Sequence, residues 1–166
     1  TADGVSIHNK TNNILRGPDE RIWLSANNQG LFSYDPARNE LTNYFMHGDS
    51  LTLPAGIRRF TFDKGGGFWI SLYYAGFYHA NSKLDSIEEV RIQGSEFFQG
   101  DNIDGIVCSP RQSHIVYLAS SRHGLCEVDT KNETVREIIP SDGMSIPTCT
   151  FLESNSIGYG GHMVAA

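Results

Sequence analysis

Three polar clusters in this chain carry side chains suited to holding a small hydroxylated or anionic molecule: Asn27-Asn28-Gln29, Tyr73-Tyr74 and Ser121-Arg122-His123. A fourth, Arg58-Arg59, sets two guanidinium groups side by side. Amide and guanidinium groups present paired planar hydrogen bonds to vicinal hydroxyls, to a carboxylate or to a sulfate, and tyrosine adds a stacking face. Trp23, Trp69 and Tyr117 offer flat aromatic faces of the same use, although each sits inside an apolar run. Covalent and metal chemistry find less support. The six histidines are dispersed with no His-x-x-x-His pair, and no Gly-x-Ser-x-Gly, phosphate-loop or kinase pattern occurs. Cys108, Cys126 and Cys149 are too widely spaced for a redox or zinc pair and read as small buried hydrophobes. We expect no catalytic residue, metal or cofactor.

The elements that must position these clusters repeat. Ile22-Trp23-Leu24-Ser25 through Gly30-Leu31-Phe32 aligns with Phe68-Trp69-Ile70-Ser71 through Gly76-Phe77-Tyr78, and again with Val116-Tyr117-Leu118-Ala119 through Gly124-Leu125-Cys126. Trp23 and Trp69 lie 46 positions apart (69 − 23), Trp69 and Tyr117 lie 48 apart (117 − 69), and the three glycines keep the same intervals. Short β-branched and aromatic runs alternate with Gly, Pro, Asn and Asp, with no sustained helical period, so the chain is all-β. In the middle copy the pattern predicts strands at Ile57–Asp63, Gly67–Leu72, Gly76–Asn81 and Ser86–Ile92. Four strands in a period of this length match a β-propeller blade. The chain then divides into an unplaced segment 1–12, blades at 13–56, 57–102 and 103–147, and the start of a truncated fourth at 148–166, about three and a half blades. In it Thr148-Cys149-Thr150-Phe151 is the expected inner strand and Ser156–Gly161 the next. Both ends read as cut, so the missing blades of the same ring are expected partners.

In a propeller, the loops between second and third strands share a face with the entries to the inner strands. That places Asn27, Asn28, Tyr73, Tyr74, Arg122 and His123 on one rim with Arg58 and Arg59, and the repeated Trp23, Trp69 and Tyr117 between blades as core. Phe97 and Phe98 before the third blade are read as tucked over the blades. The net charge of -6, without a basic run, argues against direct nucleic-acid contact, and no apolar run reaches the roughly twenty residues of a membrane span.

The pattern resembles the two-component regulator propeller repeat. Asp19-Glu20-Arg21-Ile22-Trp23-Leu24-Ser25, followed by Gly30-Leu31-Phe32-Ser33-Tyr34-Asp35, matches it closely, and Asp49-Ser50-Leu51 and Asp142-Gly143-Met144 look like its loops into the next inner strand. The later blades depart, with His79-Ala80-Asn81 and Glu127-Val128-Asp129 where the family closes on aromatic-x-Tyr-Asp. The resemblance implies a seven-bladed ring in the periplasmic sensor of a Bacteroides-type hybrid two-component system. Such a sensor takes a monosaccharide or oligosaccharide ligand, is a homodimer in the full-length protein, and acts on a kinase beyond a membrane helix. The alternatives are a propeller lyase or lactonase-type enzyme, which would work through the axial channel, and a structural propeller that binds another protein.

Overall fold

The computed structural model describes residues 7, 8, 10–44, 56–74, 76–93 and 98–138, together with two short strands at Leu152–Ser154 and Met163–Ala165. Every regular element among them is a β-strand. The first sheet is β1 (Thr11–Arg16), β2 (Ile22–Ala26), β3 (Gly30–Asp35) and β4 (Glu40–Asn43). The second is β5 (Ile57–Phe62), β6 (Phe68–Leu72), β7 (Phe77–Ala80) and β8 (Ile87–Glu89); the third is β9 (Ile103–Cys108), β10 (Ile115–Ser120), β11 (Gly124–Asp129) and β12 (Thr134–Glu137). Each is an antiparallel meander in sequence order, and β13 (Leu152–Ser154) pairs with β14 (Met163–Ala165) in a fourth. These last strands lie after the stretches 148–151 and 156–161 expected from sequence, which are outside the described residues, as are 49–51 and 142–144. The four strands expected in the middle copy are all present, the outermost ending at Glu89 rather than at Ile92.

Local chemistry explains the meanders. Gly30, Gly76 and Gly124 open the third strands with φ of 83°, 93° and 66°, a region that glycine enters without Cβ strain. The turns from third to fourth strand are held by a side-chain oxygen at the strand end. Asp35 Oδ1 accepts from the Ala37 and Arg38 N–H groups at 2.9 and 3.2 Å, and Asp129 Oδ1 accepts from Lys131 and Asn132 at 3.0 Å each. Asn81 serves the second sheet, its Oδ1 accepting from the Asp85 N–H at 3.2 Å. Asn and Asp are favoured there because their oxygens reach backbone N–H groups two to four residues on.

Stacking of the sheets forms the core. The innermost strands neighbour one another in order, β5 beside both β1 and β9, and β9 beside β13. Trp23 faces the second sheet, stacked on Tyr44 at 4.9 Å between centroids and meeting Phe68 edge-on at 4.9 Å. Trp69 faces the third, stacked on Phe77 at 5.3 Å within a cluster that includes Ile106, Val116 and Leu118. Both indoles are buried, in equivalent places, as the repeat requires. An aromatic side chain removes about 150–250 Å² from water, so these positions dominate the contact between sheets. Phe98 joins the Trp69 cluster, so it is tucked; Phe97 lies outside the described residues.

Candidate functional site

The loops between second and third strands do lie beside the inner-strand entries. In each sheet the first loop residue donates its N–H to the carbonyl of the residue that leads into the inner strand: Asn27 to Lys10 at 2.9 Å, Tyr73 to Gly56 at 3.3 Å, Ser121 to Asn102 at 3.0 Å. Donors and acceptors are each spaced like the repeat, so one rim is built three times over.

At this rim the inner strands of the first three sheets, β1, β5 and β9, each carry a bulge. The pairing of β1 with β2 slips between Thr11 and Asn13, that of β5 with β6 between Ile57 and Arg59, and that of β9 with β10 around Asp104. Asn12, Arg58 and Asp104 are the extra residues, 46 positions apart in turn (58 − 12 and 104 − 58). A bulge puts two residues against one and re-aims the side chain, and such features gather next to functional sites.

The three bulge residues are connected across blades. Arg58 Nε donates to Asp104 Oδ1 at 2.7 Å, and a terminal guanidinium nitrogen of Arg58 reaches the same oxygen. Asp104 Oδ2 accepts from Ser121 Oγ at 2.9 Å, and its backbone carbonyl accepts from Arg59 Nε at 2.8 Å. Arg59 also donates to the Asn12 carbonyl. Asn12 Nδ2 donates to the Ile57 carbonyl at 2.9 Å, while its Oδ1 accepts from the Tyr73 hydroxyl at 3.1 Å. The Arg58 guanidinium stands 4.9 Å from the centre of the Tyr73 ring, within the range of cation–π attraction. Burial, and then the adjacent Arg58 charge, draw the Arg59 pKa below its ordinary value, and Asp104 partly restores it. The side chains are 23% exposed for Arg58 and 10% for Asp104, so the pair is held largely away from water yet touches the surface through the arginine.

Of the residues expected on the rim, Arg58, Arg59 and Tyr73 converge. Asn28 adjoins them: a Cβ added to Gly56 would lie 3.5 Å from the Asn28 nitrogen and 3.6 Å from Tyr73. Asn27 serves the backbone link to Lys10. Tyr74 is 63% exposed. Arg122 leans on the Gln99 carbonyl at 3.4 Å, and His123 Nδ1 lies 2.8 Å from Glu137 Oε1 on β12, the outermost strand, which draws it away from the inner strands. Sequence reasoning gave Asp104 no site role, and it left Asn12 in an unplaced segment; stepping 46 positions either way from Arg58 finds both. Among the described residues no group of three His, Cys, Asp or Glu side chains could hold a metal ion, and no helix is long and apolar enough to cross a membrane.

Meanders of four strands, stacked so that their first strands lie side by side, define a β-propeller, and the chain supplies three blades and part of a fourth. No family model and no curated protein matches the sequence. Solved structures match the fold. The extracellular domain of the hybrid two-component system BT4673 from B. thetaiotaomicron aligns with a TM-score of 0.61 at 23% identity, over 92% of this chain and 19% of that one. The extracellular domain of hybrid two-component system BT3049 from the same organism gives 0.67 at 12% identity, over 90% and 21%. YCF48 bound to D1 peptide gives 0.66 at 13% identity, over 95% and 48%. The chain thus spans about a fifth of the length of the two extracellular domains.

Proposed function

We propose that this chain is part of an extracytoplasmic sensor propeller of a hybrid two-component regulator, placed in the periplasm. It binds a glycan-derived monosaccharide or oligosaccharide at the rim and signals to a kinase outside these residues. The observation that carries the reading is the convergence of Asn12, Arg58 and Asp104, one bulge residue from each blade, around Tyr73. A guanidinium has five N–H donors, and Asp104 draws on only two nitrogens of Arg58, so donors remain for a ligand hydroxyl or carboxylate beside an aromatic face. Likeness of fold to the extracellular domains of two hybrid two-component systems supports the sensor setting. In that setting the remaining blades complete the ring, the full-length protein is a homodimer, and the ligand acts by binding one arrangement of the dimer more tightly than the other. The chain itself carries out no catalysis.

The test is thermal unfolding of the full-length sensor domain with a panel of monosaccharides and oligosaccharides. A ligand at a hundred times its Kd adds about 2.7 kcal/mol to apparent stability. Arg58→Ala and Tyr73→Ala should diminish the shift produced by the active sugar. A panel without effect, or a shift that both variants keep undiminished, would overturn the proposal. YCF48 with its bound peptide shares the fold, and a shift produced by peptides and not by sugars would favour the protein-binding reading instead.

A further inference from the structure

The blades repeat one another closely, so a local departure carries information. In the first blade the Tyr44 N–H donates to the Leu31 carbonyl at 3.0 Å, its ring covers Trp23, and its hydroxyl lies 3.1 Å from Ser33 Oγ. Asp19, in the turn after β1, accepts from Trp23 Nε1 at 3.0 Å. In the second blade Val90 occupies the place of Tyr44, its N–H donating to the Phe77 carbonyl at 2.9 Å. The turns match residue for residue, Gly17 to Arg21 with Asp63 to Gly67, each closed by a hydrogen bond from its first N–H to its last carbonyl, so Gly65 stands where Asp19 stands. The tyrosine ring and the carboxylate acceptor of the first blade therefore have no counterpart at these two positions.

What remains is a cleft of about 720 Å³ between the second and third blades, with Trp69, His79, Glu88, Arg91, Thr130 and Glu133 in its walls. It shares none of these residues with the rim cluster. Trp69 is 7% exposed, and its indole N–H has no hydrogen-bonded oxygen among the described residues, only the Cys108 thiol, a weak acceptor, beside it. His79 packs 4.2 Å from the indole, between ring centroids, and is tied to Asp63 at 2.7 Å, which gives the cleft a fixed aromatic floor. The volume falls within the range of small-molecule sites, roughly 300–1,000 Å³.

The walls mix acceptors (the Glu88 and Glu133 carboxylates and the Thr130 hydroxyl oxygen) with the Arg91 guanidinium as donor. That mixture suits a ligand whose hydroxyls donate and accept around a ring with an apolar face. Two carboxylates, Glu88 and Glu133, against one guanidinium repel an anion. We propose that this cleft is a second ligand site, separate from the rim, that takes a neutral hydroxylated ring of one or two sugar units.

The chain has two tryptophans, so Trp23→Phe leaves Trp69 as the reporter of the cleft. Its emission should change saturably on titration with D-glucose, D-galactose or cellobiose, and at least tenfold less readily with D-glucuronate. Val90→Tyr, which restores the filling ring of the first blade, should weaken that response at least tenfold while the circular dichroism spectrum stays unchanged; Val90→Phe serves if the tyrosine variant misfolds. Glu133→Gln should weaken it as well, whereas Arg58→Ala, which touches only the rim, should leave it intact. Failure of the rim proposal therefore leaves this result standing. No saturable change with any of the three neutral sugars, a response that survives the filling variant, or tighter binding of glucuronate would each overturn the assignment.

Discussion

Replacing Asp104 tests whether the rim cluster is a built structure or a chance meeting of polar side chains. Asp104→Ala removes two charge-assisted contacts from Arg58 and one hydrogen bond from Ser121. Breaking a fully buried pair from one side costs about 3–5 kcal/mol, because the partner charge is left uncompensated. Arg58 keeps 23% of its side chain in contact with water, which puts the expected loss at the lower end, about 3 kcal/mol. For a domain of this size each kcal/mol shifts Tm by about 2–4 °C, so the variant should melt about 6–12 °C lower. Arg58→Met keeps the aliphatic stem but strands the more buried Asp104 carboxylate, and should likewise cost about 3 kcal/mol. The double variant, followed by urea unfolding with tryptophan fluorescence, should give a coupling energy near 2 kcal/mol for the pair. Arg16–Glu20 is the internal control: its side chains are 68% and 73% exposed, and such surface pairs couple by about 0.2–1 kcal/mol. An Arg58–Asp104 coupling no larger than that of the control would refute the reasoning.

Further outcomes follow from the same geometry. Trp23→Ala and Trp69→Ala should each lower stability by about 3–5 kcal/mol in denaturant titrations, because each empties an interface between blades. Burial pushes the Asp63 carboxyl up, but hydrogen bonds from His79 and from the Gly67 and Gly65 N–H groups outweigh it and hold the pKa below its ordinary value. The stability this confers is complete above the unfolded-chain value, roughly 3.9, and is lost as pH falls through the lower folded one; Asp63→Asn should flatten that acid limb of the melting curve. The Cys108 thiol is pushed up to about 12, chiefly by burial, so peptide mapping after iodoacetamide treatment of the folded chain at pH 8 should find it unmodified, and should find it alkylated once the chain is unfolded in urea.

The blade architecture was legible in the amino-acid sequence because a propeller repeats one packing problem. Each second strand must bury the same face against its neighbour, so Trp23 and Trp69 recur in one place, and each third strand must open on a residue free to take positive φ, so Gly30, Gly76 and Gly124 recur as well. The position of the rim followed from the same repetition. Its wiring did not. Whether Arg58 meets Asp104 or open water depends on a one-residue slip in β5 and another in β9, and a bulge alters register without altering composition. His123 looked equivalent to the other loop residues, yet a cross-strand carboxylate on β12 turns it aside. The exchange of Tyr44 for Val90 falls at the repeat interval of 46 (90 − 44) and was open to the same stepping along the chain, and the backbone hydrogen bonds show that the two residues stand at the same place. Hydrophobic periodicity acts along the chain and can be read from it; contacts between side chains 46 positions apart exist only once the blades are stacked.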